Sequence, residues 1–90
     1  MKAVIFYGSS TTPIEKIMEV FPRHKALLDQ FHARGELLAV GAFANPQVDG
    51  SMGIFKTKEL AEQFIKQDPF VLEGLVEKIT IKEWNEIYMV

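Results

Sequence analysis

Ninety residues carrying 10 basic and 12 acidic side chains, a net charge of −2 and 48% apolar content describe one small globular domain spanning 1–90. No cluster of Lys and Arg is present to neutralise phosphates, which excludes nucleic acid as the main partner. With no cysteine, disulfide and thiolate chemistry are excluded, and no apolar run approaches the roughly 20 residues of a membrane span.

Met1 to Tyr7 is a short, nearly continuous apolar run closed by Gly8-Ser9-Ser10, as expected of a strand covered on both faces. The run ends too early for a signal peptide, so the cytoplasm is the expected compartment. Thr12 then fits a helix N-cap, Pro13 the first helical position and Glu15 the end of a Thr-x-x-Glu capping box. Ile14, Ile17, Met18, Phe21, Leu28 and Phe31 recur at helical spacing and predict a stripe packed on a sheet. Pro22 predicts a kink or a division into two helical pieces, the second over Arg23 to Arg34 and closed by Gly35.

Two strands follow, Glu36 to Phe43 and Ser51 to Lys56. The intervening Asn45 to Gly50 has the turn dipeptides of a hairpin loop with a mobile tip. A second helix is predicted over about Lys58 to Gln67, stopped at Asp68-Pro69 because proline disfavours the α region for the residue before it. A last strand begins near Val76 and alternates through Ile79 and Ile81. Trp84, out of phase, predicts a bulge before Ile87 and Val90.

The order β-α-β-β-α-β predicts an α+β, ferredoxin-like fold: a four-stranded antiparallel sheet with its helices on one face. The strands look apolar on both faces, and a soluble monomer does not normally expose a large apolar face. A homodimer joined through the uncovered sheet faces is therefore expected.

His24 falls on the apolar stripe of the first helix with Phe21, Leu28 and Phe31. One reading is a core imidazole bonded to a carbonyl. The other is a proton-transfer group facing a pocket, which needs a carboxylate to fix its tautomer. Asp68 is the best candidate partner, although an Asp before Pro69 also suits a turn cap. His32 lies two turns beyond His24, about 12 Å along the helix, too far for both to ligate one ion. Arg23 and Arg34 read as solvated surface cations, and Gly8-Ser9-Ser10 lacks the lysine and spaced glycines of a phosphate loop. No cofactor or metal is expected.

The segments Phe21-Pro22-Arg23-His24-Lys25-Ala26-Leu27-Leu28, Val40-Gly41-Ala42-Phe43, Asp68-Pro69-Phe70 with Gly74-Leu75-Val76, and Lys82-Glu83-Trp84 resemble the YciI-like (YCII-related) family. The resemblance runs over nearly the whole chain. It implies a dimeric α+β barrel with a His–Asp pair in a pocket, here His24 and Asp68. Two departures stand out: Gly41-Ala42-Phe43 replaces the usual Gly-Pro-Leu, and Lys25 replaces an apolar residue after the histidine. Some relatives look like small lyases or dehydrochlorinases of aromatic breakdown, and the wider fold group holds isomerases and cofactor-free oxygenases.

The resulting expectation is a cofactor-free enzyme of lyase or isomerase type, in which His24 and Asp68 transfer protons. Phe43 and Phe70 would form the walls for a small cyclic or aromatic ligand. The alternative is a metabolite-binding or regulatory module that holds the same ligand without reaction.

Overall fold

The computed structural model of the protein describes residues 1–89. In chain order the elements are β1 (Lys2–Tyr7), α1 (Ile14–Ala33), β2 (Leu37–Ala42), α2 (Pro46–Asp49), β3 (Ser51–Phe55), α3 (Lys58–Gln67), α4 (Pro69–Leu72) and β4 (Ile79–Trp84). The strands form one antiparallel sheet in the order β2-β3-β1-β4, the ferredoxin-like arrangement. No described helix is long and apolar enough to cross a membrane.

Alternation along β1 divides the sheet. Ala3, Ile5 and Tyr7 point to the helices, whereas Val4 and Phe6 point away. On the helix side, Leu27, Leu28 and Phe31 of α1 meet Ala61 and Phe64 of α3 over Leu37 and Phe55. Phe31, Phe55 and Phe64 form the centre of this core, with ring centroids 5.2 to 6.1 Å apart. Arg34 lies over Phe31 at 4.7 Å and is bonded to Glu36 at 2.9 Å, so it is held against the protein.

The structure differs from the sequence expectation at the start of α1. Thr12 is not the N-cap, and no capping box forms; Pro13 holds that position without a side-chain cap. The Thr12 hydroxyl donates instead to the Leu75 carbonyl at 3.3 Å, and the Ser10 hydroxyl donates to the same oxygen at 2.8 Å. The β1–α1 loop is thereby strapped to the α4–β4 connection, which Gly8 reinforces through its N–H to Lys78 O at 2.9 Å.

Pro22 does not divide α1, which runs unbroken from Ile14 to Ala33. Its ring lies on the exposed side, where water can satisfy the carbonyl freed one turn earlier. The buried positions are Val20, His24, Leu27, Leu28 and Phe31, so the working stripe covers the last four turns of the helix. Ile14, Met18 and Phe21 near its start are exposed. The C-terminus is as expected. Gly35 is left-handed (φ 75°), with its N–H bonded to His32 O and that of Glu36 to Phe31 O, a complete Schellman motif.

Residues 45–50 do not form a plain hairpin loop. Pro46 to Asp49 make one helical turn, and Gln47 O accepts the Ser10 N–H at 3.0 Å. Pro46 at the first helical position supplies the φ that starts the turn.

The expected bulge at Trp84 is absent, since β1 and β4 pair without a shift from Tyr7↔Ile79 to Lys2↔Trp84. The irregularity falls in β2, between Leu37 and Ala39. That extra residue places Val40 rather than Ala39 opposite Gly53, on the helix side of the sheet. β4 ends at Trp84, Ile87 is exposed beyond it, and Val90 lies outside the described residues.

Candidate active site

Asp68 sits between α3 and α4. Its N–H closes α3 on Phe64 O at 2.9 Å, and its own Oδ1 accepts the Phe70 N–H at 3.1 Å to cap α4. The turn-cap reading of this residue holds, and the same carboxyl also reaches the first helix. Asp68 Oδ1 lies 2.7 Å from His24 Nδ1, 44 residues earlier in the chain. The capping role fixes the carboxyl, and the fixed carboxyl orients the imidazole.

A third group completes the arrangement. The Tyr7 hydroxyl donates to Asp68 Oδ2 at 2.5 Å. Burial pushes the Tyr7 phenol far above its ordinary range, and the neighbouring Asp68 charge and the hydrogen bond to it push the same way. Tyr7 thus keeps its proton and acts as a donor. With 0% exposure, Asp68 depends on these donors (Tyr7 O–H, Phe70 N–H and His24 Nδ1–H) in place of water. Sequence reasoning missed Tyr7. Its signal was the alternation Ala3, Ile5, Tyr7, which aims it at the helices from the end of β1.

His24 itself is boxed by phenylalanines. Phe70 stacks parallel on its ring at 4.0 Å with 7° between planes, Phe64 meets it edge-on at 6.2 Å, and Phe21 flanks it at 6.0 Å. Among the described residues Nε2 makes no hydrogen bond, yet no buried side-chain nitrogen or oxygen lacks a partner. Nε2 is therefore not sealed from solvent. A neutral ring that donates from Nδ1 has its lone pair there, so the geometry presents a base at Nε2.

Beside His24 lies a cavity of about 30 Å³, walled by Tyr7, Leu28, Val40, Gly53 and Phe64. That volume admits a water but no organic ring. A larger cavity of about 110 Å³ adjoins it through Tyr7 and Ser51, which line both. Its walls are mainly apolar, from Ile14, Ile17, Phe70, Leu75 and Val76, with Ser10 and Gln47 as polar points.

Phe70 lines the larger cavity, with one ring face occupied by His24. Phe43 does not. It is exposed just past the end of β2 and lines neither cavity. His32 is exposed in the last turn of α1, away from His24. Arg23 is engaged with Glu73, whose carboxyl is held below the ordinary range chiefly by that hydrogen bond, so it pins α4 to α1.

Fold and site together define a small ferredoxin-like α+β protein with a buried Tyr–Asp–His hydrogen-bonded group under its helices. Residues 1–85 match the YCII-related domain, and the chain belongs to that family. Protein YciI of Escherichia coli O6:H1 and Protein YciI of Shigella flexneri are each 29% identical to it over 100 aligned residues, covering 98% of this chain and all of theirs. Among solved structures, the fold resembles that of 5-chloro-2-hydroxyhydroquinone dehydrochlorinase (TftG) from Burkholderia phenoliruptrix AC1100 in complex with 2,5-dihydroxybenzoquinone. The TM-score is 0.77 at 18% identity, with 94% of each chain covered.

Proposed function

We propose that this protein is a cofactor-free enzyme that moves protons on a small cyclic or aromatic metabolite, by elimination or isomerisation. The observation that carries this reading is the buried His24–Asp68 contact at 2.7 Å with Nε2 left free. His24 Nε2 takes a proton from a carbon or hydroxyl of the ligand, while Asp68 holds Nδ1–H and offsets the imidazolium charge. Elimination follows when a leaving group departs with the electron pair; isomerisation follows when the imidazolium returns the proton elsewhere. The likeness to a dehydrochlorinase of a chlorinated hydroquinone supports a ring as substrate, and Phe70 is the wall we assign to it.

The test is turnover. Chloride release from 5-chloro-2-hydroxyhydroquinone and proton exchange on unchlorinated dihydroxy- and trihydroxybenzenes should be measured with wild type and His24→Ala. A loss of about 10²-fold or more in His24→Ala is expected. Activity that survives the substitution would contradict the reading.

A binding module without chemistry is the second reading, favoured by one observation: the roomier cavity is not lined by His24. Ring ligands that perturb Phe70 resonances without turnover under any condition would select it.

We also propose that two copies pair through the sheet faces turned away from the helices. Val4, Phe6, Met52, Ile54 and Trp84 gather on that face around a broad, mainly apolar depression edged by Lys82 and Glu83; Val4 is buried in the single chain, while Phe6, Met52, Ile54 and Trp84 are only half-buried and would be covered by a second copy. Sedimentation at micromolar concentration should give twice the 10.2 kDa of one chain, and Phe6→Glu should give a single chain. A wild-type monomer would contradict the pairing.

A further inference from the structure

Tyr7 donates into the one carboxyl that orients His24, across 61 residues of sequence, and its side chain lines both cavities. Asp68 Oδ1 is shared between the Phe70 N–H and His24 Nδ1, whereas among the described residues Oδ2 is held by Tyr7 alone. We propose that Tyr7 is a positioning residue for His24, setting both the plane and the acceptor strength of the carboxylate that aligns the imidazole.

The physical basis is competition for one charge. A carboxylate that gives electron density to a hydroxyl at Oδ2 is a weaker acceptor for an N–H at Oδ1. Removing the hydroxyl therefore concentrates charge on the His24 side, and strengthening the hydroxyl as a donor withdraws it. Rotation of the carboxyl is coupled in the same way, because Oδ2 has no other partner among the described residues. Burial and the adjacent charge keep the phenol protonated, so Tyr7 acts through Asp68 and does not relay a proton itself.

The consequence for turnover rests on the proton-transfer reading above, but the coupling is measurable in the resting protein. The readout is the proton resonance of His24 Nδ1–H. Tyr7→Phe should move it downfield, as its bond to Asp68 strengthens. Fluorination of the Tyr7 ring, which makes the hydroxyl a stronger donor, should move it upfield by an amount that grows with each fluorine. The chain has two tyrosines, and the other, Tyr88, is exposed. A Tyr88→Phe background therefore confines the fluorine to Tyr7.

Opposite movements in the two proteins support the inference. Movement in the same direction, or none, overturns it. Should Tyr7→Phe fail to fold, the fluorinated series alone decides, since it preserves the hydrogen bond: a graded upfield shift supports and a fixed resonance overturns. The two proposals fail separately. Absent turnover leaves these shifts intact, whereas fixed resonances beside a His24-dependent activity remove only the role of Tyr7.

Discussion

Asp68→Ala is expected to destabilise the domain by about 3–5 kcal/mol, because several donors lose one buried acceptor at once. Tyr7 O–H and His24 Nδ1–H lose their acceptor in a site walled by phenylalanine, and the Phe70 N–H loses its cap. Each buried donor left unpaired costs on the order of 1–3 kcal/mol, and loss of a helix cap on the order of 1 kcal/mol. Such a loss is a large share of the roughly 5–15 kcal/mol that holds a domain of this kind folded. Asp68→Asn keeps the shape and one acceptor oxygen, so it should cost less, about 1–2 kcal/mol. Urea unfolding of the three proteins checks the order. A loss below about 1 kcal/mol in Asp68→Ala would mean that the donors are satisfied elsewhere.

Gly50→Ala is expected to be as damaging or worse. Gly50 enters β3 with φ of 78°, and a Cβ built there would lie 1.7 Å from the Tyr7 carbonyl oxygen and 2.8 Å from its carbon. The obstacle is backbone at the end of an inner strand of the sheet, so it cannot swing aside as a side chain would. Relief requires the end of β1 or the start of β3 to move, and with it the Tyr7 hydroxyl on Asp68. A cost above about 4 kcal/mol is expected, in the range reserved for severe steric or core damage. Gly35→Ala is the control, because φ there is similar at 75° but no atom lies within 4 Å of the added carbon. It should lose only the backbone cost of about 1–2 kcal/mol. Equal losses at the two positions would show that the close approach at Gly50 is not what requires glycine.

The contrast between these residues also shows what a sequence makes legible. The order of elements, the bounds of α3 and the stop at Asp68 follow from local signals: period, capping chemistry and proline. The spacing from Leu28 and Phe31 places His24, the need for a carboxylate makes Asp68 its best candidate partner, and the family resemblance implies the same pair. Several of the differences depend on distant partners. Thr12 has the identity of an N-cap, but the Leu75 carbonyl 63 residues away claims its hydroxyl. Pro22 would break an isolated helix, yet α1 is held by Leu27, Leu28 and Phe31 in the core and tolerates it on the wet side. Phe43 has the right chemistry for a ligand wall and the wrong place on the sheet. Tyr7 drew no attention as a tyrosine ending an apolar run. Only the return of the chain at Asp68 gives its hydroxyl a function.

The central claim is that Asp68 fixes the His24 ring with its proton on Nδ1 and its lone pair on Nε2. Nitrogen-15 NMR of the His24 side chain reads this directly, at a pH where imidazoles are neutral. The expected spectrum has a protonated Nδ1 and a bare Nε2, the reverse of the tautomer that free histidine favours. Asp68→Asn should shift the ring toward the free-histidine tautomer. A wild-type ring that carries its proton on Nε2, unchanged in Asp68→Asn, would contradict the account.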